Sequence, residues 1–119
     1  GTAQVAFSLT STAILALSDR AETLEALLLG IDPNLSDAGG PIDKTDGIFT
    51  VADGAYYNLQ LAKFGGSDRP DPGLAYAAAA AHNPFLTEQL LIASVRAVEN
   101  EYAVTAPADF VRERLIRAN

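Results

Sequence analysis

The first thirty residues carry apolar side chains at a helical period. One face holds five of them at alternating steps of three and four: Ile14, Leu17, Ala21, Leu24 and Leu28. The charged residues between them, including Arg20, fall on the other face, so the pattern predicts an amphipathic helix. Gly30 is a natural residue to end this helix.

The start of this helix has two interpretations, because the first eighteen residues carry no charge. The apolar spacing extends backwards and allows one helix from about Ala3 to Leu29. Alternatively, Thr10 or Ser11 caps the helix, and residues 1–10 form an extended arm with a strand-like alternation over Val5–Leu9. The capping chemistry of the Ser/Thr cluster favours the arm. Polar residues interrupt the apolar run too often for a transmembrane span.

A stretch rich in Asp, Gly and Pro separates this helix from the rest of the chain. Three turn signals follow one another within residues 31–50, namely Asp-Pro-Asn, Gly-Gly-Pro and Asp-Gly. A loop of this length is typically functional or ordered by its own contacts. We predict a long ordered loop that is attached to the core through Ile31, Leu35 and Ile42.

A second helix is predicted directly after the loop. Ile48 and Phe49 are expected to enter the core ahead of it. Thr50 and Asp53 have the spacing of a capping box, which places an acid at the positive end of the helix. The helix then runs to Phe64, where a Gly-Gly pair ends it. Its aromatic residues are predicted to lie in or near the core.

Three further helices are predicted in the second half of the chain. An Ala-rich helix spans Leu74–Ala81, and Asn83 caps a longer helix over about Pro84–Val104. A last helix spans about Pro107–Arg117. Together the patterns predict an all-α fold: one domain over residues 1–119, built as an irregular bundle of four to five helices with one long loop.

The charged residues of the C-terminal half are predicted to face solvent. Glu88 and Glu99 fall outside the apolar stripe of their helix. Arg112, Arg114 and Arg117 gather at the end of the last helix, where the helix dipole favours cations. The same arginines are also suited to an acidic surface on a partner or on the Asp-rich loop.

Composition narrows the function classes. A net charge of −7 argues against a nucleic-acid surface, which needs clustered basic residues. The absence of cysteine excludes disulfides, thiol catalysis and Cys-ligated metal sites. Methionine is also absent and no signal peptide is visible. The compartment is therefore undetermined, and the composition is compatible with the cytoplasm or with export after signal removal.

The segment DKTDGIFTVADGAYYNLQLAKF resembles the calcium loops of dockerin modules and EF-hands, in which aspartates and a glycine precede an apolar residue and an acid begins a helix. The resemblance implies a calcium site that involves Asp43, Asp46 and Asp53. The register departs from the pattern, because aligning the glycine places the first and third ligand positions on Ile42 and Lys44. Turn formation and helix capping explain the same aspartates, so we predict no cofactor, with calcium as the alternative.

The sequence shows no catalytic constellation. His82 is the only histidine, and no nucleophile lies beside it in a recognisable motif. We therefore predict a non-enzymatic protein–protein interaction or assembly subunit, structural within a larger complex, that binds a protein partner or itself. The alternatives are a calcium-dependent interaction module and a small-ligand-binding or enzymatic helical domain that uses the Asp-rich loop with His82 or Tyr57.

Overall fold

Four α-helices form the described part of the chain. The computed structural model describes residues 2–35, 41–42, 47–65 and 71–116. In chain order the helices are α1 (Thr2–Ile31), α2 (Val51–Phe64), α3 (Ala77–His82) and α4 (Pro84–Tyr102), with a short 3-10 helix over Pro72–Leu74. These residues contain no strand, and the predicted all-α class is confirmed.

The core lies between α1, α2 and α4, and α3 packs along their edge. The pairing of α1 with α4 is the most extensive contact, followed by α2 with α4 and α1 with α2. The predicted stripe of α1 supplies much of the core, since Leu17, Ala21, Leu24 and Leu28 are fully or almost fully buried. From the other helices come Ala52, Ala55, Leu59, Leu91, Val95 and Val98.

The N-terminal residues belong to one continuous helix, in place of the extended arm predicted for residues 1–10. α1 begins at Thr2 and passes through Thr10 and Ser11 without a break. A weak helix former costs at most about 0.7 kcal/mol per residue. Burial of the apolar stripe, which begins at Ala13 among the described side chains, outweighs that cost. The predicted stop at Gly30 is also too early, since α1 continues through Gly30 to Ile31.

Helix α2 has the predicted caps. The Thr50 hydroxyl accepts a hydrogen bond from the Asp53 backbone N–H at 3.1 Å, and the Thr50 N–H donates to Asp53 Oδ2 at 2.9 Å. Gly65 ends the helix in the left-handed region at φ 63°, and its N–H donates to the Leu61 carbonyl at 2.8 Å. Local chemistry therefore sets both ends of this helix.

The residues predicted to attach the long loop to the core are in place. Ile42 is fully buried, and Ile31 and Leu35 pack against the core cluster. The Thr50 hydroxyl donates to the Pro41 carbonyl, which connects this part of the loop to the start of α2. Residues 36–40 and 43–46 of the loop lie outside the described residues.

Ile48 and Phe49 do not enter the core, contrary to prediction. They are 64% and 79% exposed. The buried face of α2 is formed by small residues and Leu59, and Ile42 fills the core beside it. In a hydrophobic staple the residue before the N-cap packs against the fourth helical residue. Here that fourth residue is Gly54, which has no side chain to cover Phe49.

The chain after α4 forms no helix, so the predicted helix over Pro107–Arg117 is wrong for the residues described, which end at position 116. Ala103 ends α4 in the left-handed region at φ 53°. Backbone N–H groups of this C-terminal segment donate to carboxylates on α4 instead of to helix carbonyls. The Ala-rich helix is also shorter than predicted and begins at Ala77, after Tyr76 in the left-handed region.

Candidate functional site

An aromatic cleft opens where the long loop meets the first turns of α2. Its volume is about 340 Å³. Its lining residues come from the end of the loop and from one side of α2: Gly47, Ile48, Phe49, Asp53, Tyr56, Tyr57 and Gln60. We call this feature the aromatic cleft, and most of its surface is apolar.

Of the large side chains that line the aromatic cleft, Tyr56 is partly buried against the core and the others are exposed. Tyr57 is 64% exposed, and Leu61 lies one turn further along the same outer face of α2, outside the lining of the cleft. The Phe49 ring lies over Gly54, with its Cε1 atom 3.4 Å from the position that a β carbon would take. Single exposed apolar residues are ordinary on protein surfaces, whereas a cluster of large ones is typical of binding sites.

Among the described residues that line the aromatic cleft, Asp53 is the charged one. The residue is only 8% exposed. Its Oδ2 atom accepts the capping hydrogen bond from the Thr50 N–H, whereas its Oδ1 atom is buried and has no hydrogen-bond partner among the described residues. Most buried polar atoms are hydrogen-bonded, so Asp53 brings an unusual, unsatisfied acceptor to the lining of an apolar cavity.

A second charged cluster lies inside the bundle, between α1 and α4. The Nε atom of Arg20 is 3.4 Å from the Oε2 atom of Glu88, and both side chains are fully buried. Arg20 also bonds Asp19 at 2.6 Å and donates to the Glu113 carbonyl at 3.0 Å. The sequence pattern placed Arg20 and Glu88 on solvent-facing positions, and the structure corrects both.

Glu88 is buried because the C-terminal segment covers it. Its carboxylate accepts hydrogen bonds from the backbone N–H groups of Leu115, at 2.9 Å, and Ile116, at 3.2 Å. Arg20 and Arg112 also lie over the Phe110 ring, at 5.4 and 5.7 Å from its centroid. These contacts attach the non-helical segment to α1 and α4.

Glu99 is a third point at which the C-terminal segment is attached to α4. The sequence pattern instead predicted a solvated side chain at this position. Arg112 donates two hydrogen bonds to its carboxylate, at 2.6 and 2.7 Å, and the Ala106 N–H donates at 2.8 Å. The hydrogen bonds from Arg112 are the main reason that the pKa of Glu99 falls from its ordinary 4.5 to about 2.

An open groove of about 940 Å³ separates α4 from the C-terminal segment, and Arg96, Arg112 and Arg114 line it. Among the described residues Arg96 and Arg114 make no ion pair within 4.0 Å. The predicted helix-end role of the C-terminal arginines does not apply to Arg112 and Arg114, because no helix forms around them. Arg117 lies outside the described residues.

The predicted calcium ligands are only partly visible. Asp43 and Asp46 lie outside the described residues, and Asp53 serves as a helix cap. In the described ranges no group of three or more His, Asp or Glu residues is arranged to hold a metal ion. The calcium site stays a prediction. Thermal melts with calcium and with a chelator test it, because a ligand of the folded state raises the midpoint.

The residues proposed for an enzymatic role are separated. Tyr57 lines the aromatic cleft, whereas His82 is exposed at the end of α3 and does not belong to the lining. No sequence pattern predicted the exposure of Phe49 or the buried, unpartnered oxygen of Asp53. Glycine at the staple position of α2 was the signal that could have indicated the former.

No protein-family model, curated protein or solved structure matches the chain significantly. Across the helical residues that the structure describes, none of the helices combines the length and apolarity that crossing a membrane requires.

Proposed function

We propose that this chain is a non-enzymatic protein-interaction or assembly subunit and that the aromatic cleft is its contact surface. The observation that carries the proposal is the exposure of Ile48, Phe49 and Tyr57 around one cavity. Burying apolar surface yields about 25 cal/mol per Å². An aromatic side chain that is left uncovered in the monomer therefore retains binding energy for a partner.

The chemistry of the aromatic cleft supports a protein partner. Tyrosine and other aromatic residues are enriched at the energetically dominant positions of interfaces. Phe49 and Tyr57 project from the capped start of α2, whose capping box holds the backbone in one geometry. A preorganised apolar surface loses little conformational entropy on binding.

Site-specific photo-crosslinking tests this proposal. A photoreactive phenylalanine analogue replaces Phe49 in one variant and the exposed Glu101 on α4 in a control. Irradiation in the source cells should produce discrete protein adducts, with a second copy or another protein, from position 49 and not from position 101.

Light scattering after size-exclusion chromatography provides a second readout of the same proposal. We expect a mass above that of the monomer for the native chain or its co-purified complex, and a lower mass after Phe49→Ser. A monomer at all concentrations, together with equal crosslinking from both positions, would contradict the proposal.

A further inference from the structure

We propose that the aromatic cleft receives a basic side chain of the protein partner, an arginine or a lysine. This inference rests on the proposed function, because the basic side chain is assigned to the protein partner proposed above. It depends on three features: a carboxylate in the lining with one unpartnered oxygen, the aromatic residues of the cleft, and the acidic character of the chain.

The unpartnered carboxylate oxygen belongs to Asp53. Its Oδ2 atom accepts the hydrogen bond from the Thr50 N–H, and its buried Oδ1 atom has no hydrogen-bond partner among the described residues. None of the described residues that line the cleft is basic. The apolar walls lower the local dielectric constant, so the charge of Asp53 attracts a cation in the cleft more strongly than it would in water.

The aromatic walls suit the same ligand. Phe49, Tyr56 and Tyr57 line the cleft, and aromatic rings attract ammonium and guanidinium groups through their quadrupoles. Guanidinium also stacks on aromatic rings, and the alkyl stem of an arginine or lysine packs on apolar surface. The chain itself uses this chemistry elsewhere, since Arg20 and Arg112 lie over the ring of Phe110.

The size and charge of the protein agree with a basic partner. A volume of about 340 Å³ is at the small end of ligand pockets, which start near 300 Å³, and therefore suits one side chain better than a long segment. The chain has 15 acidic and 8 basic residues. Its net charge of −7 favours encounter with a positively charged surface.

Titration with short capped peptides tests the inference on the intact protein. The probes are acetyl-Gly-Gly-Arg-Gly-Gly-amide, its lysine counterpart, and a citrulline peptide, in which an uncharged urea replaces the guanidinium. Binding is followed by NMR shifts of the amides of residues 47–60. We expect saturable shifts with both basic peptides and at least fivefold weaker binding of the citrulline peptide.

Two variants identify the groups responsible, with Leu61→Ala on the same helix as the control. Asp53→Asn removes the charge, and Phe49→Leu removes an exposed ring while keeping an apolar side chain. We expect each to weaken arginine-peptide binding at least fivefold and Leu61→Ala to leave it unchanged. If Asp53→Asn does not fold, Phe49→Leu carries the test, because its side chain contributes little to the core.

Equal binding of the arginine and citrulline peptides, or shifts that do not saturate, would overturn the inference. Adducts from position 49 without charge-selective peptide binding would leave the proposed interaction surface intact and remove only the basic anchor. Charge-selective peptide binding without such adducts would support the cation site and contradict the proposed function.

Discussion

Arg20 and Glu88 face each other inside the bundle with both side chains fully buried, their Nε and Oε2 atoms 3.4 Å apart. The pair joins α1 to α4, and Glu88 also accepts two backbone hydrogen bonds from the C-terminal segment. At 3.4 Å the pair is an ionic contact, and Arg20 Nε makes no hydrogen bond to the residues that the structure describes. The other contacts of Glu88 therefore carry much of the attachment.

Removing Glu88 should strongly destabilise the fold. Glu88→Ala removes the buried carboxylate opposite Arg20, which keeps only its ion pair with the exposed Asp19, and removes the acceptor of the Leu115 and Ile116 N–H groups. Loss of one partner of a buried ion pair costs about 3–5 kcal/mol. Urea denaturation followed by circular dichroism measures the change, with the neighbouring exposed Gln89→Ala as a control that should stay within about 0.5 kcal/mol. Equal stability of the two variants would contradict this role for Glu88.

Acid should weaken the attachment of the C-terminal segment through Glu99. Its pKa is about 2 in the folded protein and 4.5 ordinarily, mainly because of the hydrogen bonds from Arg112. The stabilisation is therefore fully present above about pH 4.5 and is lost as the pH falls towards 2. Melting temperatures across this range should fall less steeply for Glu99→Gln than for the native chain. The exposed Glu101→Gln should keep the native slope, and parallel curves for all three proteins would contradict the prediction.

Alkaline pH should destabilise the fold through Tyr76. Burial, followed by the nearby charges of Glu22 and Glu25, raises its pKa from 10.0 to about 12. The unfolded chain therefore loses the tyrosine proton first, and stabilisation that is present below pH 10 is lost as the pH rises towards 12. Tyr76→Phe should flatten the loss of stability in this range. Tyr57→Phe, at an exposed position, is the control, and tyrosinate absorbance reports the titration directly.

Two glycine-to-alanine changes should shift stability in opposite directions. Gly65 has φ 63°, and an added β carbon would lie 3.1 Å from that of Ala78, so Gly65→Ala should destabilise by at least about 1 kcal/mol. Gly30 lies within α1 with no atom within 4 Å of an added β carbon, so Gly30→Ala should stabilise by up to about 1 kcal/mol. Urea midpoints compare the two variants, and shifts of the same sign would contradict the assignment.

Short-range signals were sufficient to predict the helices with local caps. Thr50, Asp53 and Gly65 define α2 through hydrogen bonds to residues three or four positions away, and Pro84 begins α4 as expected. The buried stripe of α1 also follows from its spacing alone, because a helix with one apolar face has one way to bury it. The all-α class follows from these same patterns.

Contacts between segments that are distant in sequence determine the features that these local patterns do not predict. Glu88 occupies a polar position on its helix, and only the chain 27 residues later covers it and supplies the donors that make its burial favourable. The same C-terminal segment does not form the predicted helix, because carboxylates on α4 accept hydrogen bonds from its backbone N–H groups. Phe49 is exposed because the core beside α2 is filled by other residues. The aromatic cleft and the buried, unpartnered oxygen of Asp53 follow from that packing, which no local pattern encodes.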